Sequence, residues 1–215
     1  MIGYWILLLL TAFVAYNCGS ISTLSIASVF VFRRDLHRIG KKSMFISNFR
    51  RLFGYLGFLK LLGVELLRDF IPLLIGAVLL SIKGHGTAGA AFAGFCLALG
   101  RVFPVYNRFR GSTASICLIC AMTCVNVSIG IAAAIVTAAV VWFTRYLSLG
   151  AIAGAAAAIL VAILTVDDRL VLILCILTAA IVLVKNLPAL RRIPQKRELR
   201  LSLEEDISWK FDEKF

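Results

Sequence analysis

Apolar runs of about twenty residues recur along the whole of this 215-residue chain, and no other feature constrains its folding as much. A run of that length is what an α-helix needs to cross a hydrocarbon core about 30 Å thick. Composition points the same way. Hydrophobic residues make up 61% of the chain and charged residues 16%, against about 45–50% and about 25% in a soluble domain. The expected fold class is an all-α polytopic membrane protein, a single bundle with lipid in place of water around most of its surface.

The runs divide into seven expected helices: Tyr4–Phe32, Phe53–Leu80, Ala90–Phe103, Ala114–Val127, Ser128–Phe143, Gly150–Val166 and Leu170–Leu187. Residues 1–190 form the transmembrane bundle in this reading, and 191–215 a polar, mixed-charge cytoplasmic tail. The opening Met1-Ile2-Gly3-Tyr4-Trp5 has no basic n-region, so the first run reads as a retained helix rather than a cleaved signal. Its Gly19, Ser20, Ser22, Ser25 and Ser28 give it the small-residue stripe that helix packing in lipid favours. Ala90–Phe103 and Ala114–Val127 are short for a span and read as tilted or as a re-entrant pair.

Basic residues set the orientation. The polar island Arg33–Arg51, RRDLHRIGKKSMFISNFRR, carries Arg33, Arg34, Arg38, Lys41, Lys42, Arg50 and Arg51 against one acid, Asp35. With the island in the cytoplasm, the Arg101–Arg110 loop, Arg145 and the tail fall inside as well. The turns at Ser81–Gly89, Val127–Gly130 and Asp167–Asp168 fall outside. The N-terminus is then external and the C-terminus cytoplasmic. The net charge of +12 reads as topogenic charge and attraction to anionic headgroups, or as a pocket for a phosphate-bearing substrate. It is broken up by spans and joins no recognition motif, which argues against nucleic acid.

Two further features have plain readings. The six cysteines lie in apolar runs. Cys117-x2-Cys120-x3-Cys124 has no histidine nearby, since His37 and His85 fall in distant loops; these thiols read as small core residues, and no metal site or cofactor is expected. The helix Phe53–Leu80 carries Lys60, Glu65, Arg68 and Asp69. Charges at the bilayer centre cost about 2.5–3.5 kcal/mol each. Glu65 and Arg68 are three apart and are expected to pair, either as a satisfied bridge or as the wall of a polar cavity.

Three cytoplasmic segments, Gly40–Arg51, Arg101–Thr113 and Arg145–Ser148, each mix Arg or Lys with Ser, Thr, Asn or Gly. Guanidinium forks and hydroxyls suit a phosphate, and glycine lets backbone N–H groups approach one. The candidate anion site comprises Lys41, Lys42, Ser47, Asn48, Arg51, Arg110, Gly111, Arg145 and Ser148. No Ser-His or Cys-His nucleophile arrangement is visible, and no catalytic residue is assigned.

Gly19-Ser20-Ile21, the polar island, Asp69-Phe-Ile-Pro-Leu-Leu-Ile, Gly100-x-x-x-Pro104, Phe109-Arg110-Gly111 and Arg145-Tyr146-Leu-Ser148-Leu149 occur in the order of the PlsY-type acyl-phosphate:glycerol-3-phosphate acyltransferases, which this chain resembles over residues 10–200. The resemblance implies a bacterial inner-membrane enzyme of phospholipid synthesis. It would bind membrane lipid, acyl phosphate and glycerol 3-phosphate and make lysophosphatidic acid. The first family motif is similar to GSGNxGxTN. Here Gly40 and Asn48 match, Ser47 stands for Thr, and Lys41, Lys42, Ser43 and Phe45 depart from it. The second is similar to GHxxPxFxxFKGGKG. Here Arg101 replaces the His, Arg110 the first Lys, Ser112 a Gly, and Thr113-Ala114 the final Lys-Gly. Asn186 and Ala189 stand where the family has a His and an Asn. The departures imply a catalytically impaired paralogue that binds a phosphorylated lipid or precursor. The alternatives are an active acyltransferase, and a non-enzymatic subunit with a membrane-protein partner or a transporter.

Overall fold

The computed structural model describes residues 2–27, 46–107 and 111–192. Among them there is no β-strand, and seven helices exceed ten residues. In chain order the helices are α1 (Ile2–Ser20), the short α2 (Thr23–Ala27), α3 (Ile46–Ser81), α4 (Gly86–Val102), α5 (Ser115–Val125), α6 (Val127–Thr144), α7 (Leu147–Thr165) and α8 (Arg169–Arg192). Four of them, α1, α6, α7 and α8, are long and apolar enough to cross a membrane by length and composition.

Tight turns join antiparallel neighbours. Gly76 of α3 lies against Gly89 of α4, Thr123 of α5 against Gly130 of α6, and Thr137 of α6 against Gly154 of α7. α1 runs parallel to α4. The Tyr4 ring packs edge-on against His85, with centroids 6.3 Å apart, while Tyr16 at its other end donates to the Phe103 carbonyl at 2.9 Å. The bundle thus has two ends. One carries the turn at Gly84, the turn at Asn126 and Asp167–Asp168. The other gathers the last turns of α1 and α4, the start of α5, Arg145 and the last turns of α8.

α4 is the centre of the bundle. Twelve of its residues are buried, most of them Ala or Gly. This explains why the Ala90–Phe103 run looked too short. A helix wrapped by protein need not present a full apolar span to lipid. Its approach to α1 is backbone on backbone: a Cβ at Gly100 would lie 2.2 Å from the Tyr16 carbonyl oxygen, and one at Gly19 2.4 Å from that of Leu97. α7 buries Ala151, Ala155, Ala158 and Ala162 at helical spacing, so α6 and α8 can also close in on it.

Two boundaries depart from expectation. The first helix ends at Ser20 rather than near Phe32. The Ser20 hydroxyl donates to the Gly100 carbonyl, and Arg68 Nη1 takes the Ile21 carbonyl at 2.9 Å. The Ile21 carbonyl freed at the break is therefore satisfied by α3. α3 is longer than its apolar run. Its 36 residues span about 54 Å, well beyond a hydrocarbon core of about 30 Å. The part antiparallel to α4, from Glu65 to Ser81, is about 25 Å. The charged residues of α3 therefore lie level with the end of α4, not at mid-depth.

Candidate functional site

Gly111 to Ala114 is backbone outside regular secondary structure between α4 and α5. α5 itself has 11 residues, about 16 Å, so it does not cross a bilayer alone. Irregular backbone at such a place is tolerated only where protein satisfies its polar groups, and here it does. Ser112 N–H donates to the Arg101 carbonyl at 3.3 Å. Asn186 Nδ2, from α8, donates to the Thr113 carbonyl at 2.9 Å and to the Val182 carbonyl at 2.7 Å. Ala114, in the left-handed region at φ 54°, accepts from Leu118 N–H as α5 begins. Gly111 is obligatory for space: a Cβ there would lie 2.2 Å from the Arg101 carbonyl oxygen and 2.3 Å from that of Val102.

Beneath this segment lies a buried ion cluster. Arg101 Nη1 donates to both oxygens of Asp69, at 3.1 and 3.0 Å. Its Nη2 meets Glu65 Oε1, and its Nε donates to Ser112 Oγ at 3.0 Å. Arg68 grips Asp69 through Nε at 3.0 Å and Nη2 at 2.6 Å, and reaches Thr23 Oγ1 at 2.8 Å. Glu65 and Asp69 are 1% and 0% exposed, so the two cations are what permits their burial. Glu65 Oε2 is the one buried side-chain oxygen or nitrogen among the described residues that has no hydrogen-bond partner. The expected Glu65–Arg68 pair is thus corrected. Arg68 turns to its neighbour Asp69 and to the α1–α2 connection, leaving Glu65 to Arg101 of α4. Arg101 is not a free cation of the second basic loop either. It closes α4, 6% exposed, with its charge matched by carboxylates.

The third segment caps α6. Arg145, exposed and left-handed at φ 60°, ends that helix by donating its N–H to the Val141 carbonyl at 2.8 Å. Tyr146 and Ser148 are 8% and 4% exposed, at the start of α7. Chain direction puts Arg145 at the same end of the bundle as Gly111 and Asn186.

Of the nine site residues proposed from sequence, Gly111, Arg145 and Ser148 have described surroundings. Ser47, Asn48 and Arg51 fall in the first turns of α3, with side chains outside the described residues. Lys41, Lys42 and Arg110 lie outside the described residues altogether. Sequence reasoning missed Asn186, whose amide ties α8 to the segment between α4 and α5. Its signal was a carboxamide in an apolar helix, which must find partners. It also missed the joint role of Arg101 and Ser112, two departures from the second motif that bond to each other.

A family model described as glycerol-3-phosphate acyltransferase matches residues 9–196. The glycerol-3-phosphate acyltransferase of Thermoanaerobacter pseudethanolicus is 25% identical over 198 residues, covering 92% of this chain and 98% of that protein. That of Syntrophotalea carbinolica is 32% identical over 158 residues, covering 73% and 76%. Among solved structures, PlsY, an integral membrane glycerol 3-phosphate acyltransferase, in its glycerol 3-phosphate form superposes with a TM-score of 0.73 at 23% identity, over 91% of this chain and 96% of that one. Its lysophosphatidic acid form gives 0.74 at 21% identity, over 93% and 98%. At these identities the structural likeness carries the fold.

Proposed function

Given that this chain belongs to the glycerol-3-phosphate acyltransferase family, we propose that it transfers an acyl group from acyl phosphate to glycerol 3-phosphate at the Gly111/Arg145 end of the bundle. Lys41, Lys42, Arg51, Arg110 and Arg145 hold the two phosphates. Ser47, Asn48 and Ser148 orient them, and Gly111 opens the backbone to one of them. A hydroxyl of glycerol 3-phosphate attacks the acyl carbon. The new ester C–O bond forms as the C–O bond to phosphate breaks, and the hydroxyl proton leaves with the departing phosphate. The products are lysophosphatidic acid and inorganic phosphate. Fixed cations act here by neutralising charge and aligning the two reactants, without a covalent enzyme intermediate.

The observation that carries this reading is the common end of the bundle. Gly111–Thr113 is clamped between α4 and α8, Arg145 projects from the α6–α7 corner, and α3 runs from Ser81 toward that same end and beyond it to Arg51. We place the protein in a bacterial cytoplasmic membrane with its N-terminus outside, so that this end faces the cytoplasm. Residues 191–215 are then a cytoplasmic tail.

A second reading, a catalytically impaired paralogue that keeps a phosphorylated lipid or precursor bound and serves a membrane-protein partner, draws on particular substitutions. Phe45 adds bulk where the family motif has glycine, and Thr113 lacks the motif's lysine charge. Loss of a positioned donor costs about 10²–10³ in rate. The test is transfer from acyl phosphate to glycerol 3-phosphate by the purified protein, with Arg145→Ala as control. Turnover that Arg145→Ala abolishes supports the enzyme. Saturable glycerol 3-phosphate binding without turnover supports the paralogue. Neither turnover nor binding removes both.

A further inference from the structure

The guanidinium of Arg101 joins α3 to the segment between α4 and α5. Through Nη2 and Nη1 it is seated on Glu65 and Asp69 of α3. Its Nε takes Ser112 Oγ at 3.0 Å, and its own carbonyl takes Ser112 N–H at 3.3 Å. One arginine therefore grips one serine through side chain and main chain together. Ser112 lies two residues beyond Arg110, across the Gly111 crossing that admits no Cβ. We propose that Arg101 and Ser112 form a clamp, with Arg101 the positioning residue that fixes the Gly111 backbone where it meets the anion; this rests on the reading of Gly111 as part of the phosphate site given above.

Arg101 does not touch substrate in this scheme. Its own charge is spent on two carboxylates, and Arg68 relieves the excess negative charge at Asp69. What it supplies is geometry. The planar fork addresses three fixed partners at once, which the single ammonium of a lysine cannot reproduce at the same angles. The His-to-Arg and Gly-to-Ser departures from the second motif are then one change rather than two. An arginine at 101 without a hydroxyl at 112 leaves Nε with no side-chain acceptor.

Arg101→Met would strand Glu65 and is a poor test, because the variant could fail to fold. Both remaining variants keep the buried charges balanced: Ser112→Ala removes the side-chain half of the clamp alone, and Arg101→Lys removes it together with the fork's seat on the carboxylates. Two readouts are taken on the full chain in lipid nanodiscs. In hydrogen exchange, both variants are expected to speed exchange of the 103–113 amides and leave the Gly84 turn unchanged. In glycerol 3-phosphate titrations, read by turnover or by ligand-dependent thermal shift, both are expected to raise KM or Kd about tenfold with kcat little changed. The double variant is expected to be no worse than Arg101→Lys alone, since a broken clamp cannot be broken twice. Additive effects, or exchange at 103–113 equal to the wild type, would overturn the clamp. If the wild type shows neither turnover nor binding, the acyltransferase and paralogue readings fail and the exchange arm still decides the clamp.

Discussion

Asn186 shows how much a single polar side chain can do where water is absent. Its amide holds the Thr113 carbonyl and one turn of its own helix while only 2% exposed. Asn186→Ala leaves the Thr113 carbonyl without that donor, at a cost of about 1–3 kcal/mol. We expect a lower midpoint in thermal unfolding followed in detergent, together with weaker glycerol 3-phosphate binding. Gly111→Ala acts by a different route. The atoms in its way are backbone carbonyls, which cannot swing aside as a side chain would. Binding of glycerol 3-phosphate is expected to fall at least about tenfold, because the backbone at Gly111 must move away from the carbonyls that hold it. Gly84→Ala is the matched control. Gly84 also needs a special backbone, at φ 77°, but has open space around it, so about 1 kcal/mol of strain is expected with no loss of binding.

Helices in this protein are held by closeness rather than by size. At the α1–α4 crossing, Gly100 and Gly19 let one backbone touch the other, and small residues are how helices associate in lipid. Gly100→Ala forces the pair apart, at a cost of about 1–3 kcal/mol, and is expected to lower the unfolding midpoint as well as loosen the Tyr16–Phe103 bond. Ala114 gives the contrary case. It starts α5 in the left-handed region, where glycine would relieve about 1–2 kcal/mol, yet Ala114 is 1% exposed, its methyl is worth about 0.8 kcal/mol, and glycine's freer unfolded backbone costs about 0.5–1 kcal/mol. The terms nearly cancel, so Ala114→Gly should leave the midpoint almost unchanged. By contrast, Ala133→Gly, at a 0% exposed position in mid-helix, loses both packing and helix propensity.

For the molecule as a whole, the up-and-down arrangement makes a claim about sides. Gly84 and Asp168 lie at one end of the bundle and Tyr106 at the other. In intact cells an impermeant maleimide is expected to label Gly84→Cys and Asp168→Cys directly, and Tyr106→Cys only after the membrane is opened. Labelling of all three from one side would break the arrangement. The native thiols are a low background, since the six cysteines are buried or half-buried.

The apolar runs were enough to establish a polytopic helical bundle, because length and hydropathy alone decide what lipid accepts. The order of short motifs was enough to point to the family, and the spacing of basic clusters gave the expected sides. The partners inside the bundle came only with the fold. The Glu65–Arg68 pair looked right at helical spacing, but Arg101, 36 positions away from Glu65 in sequence, was closer in space. The short runs at α4 and α5 looked like weak spans until α4 proved to be wrapped by protein. Periodicity reports what faces lipid. It is silent on which buried charge meets which, since that depends on how far each helix slides along its neighbours, and only their packing sets that.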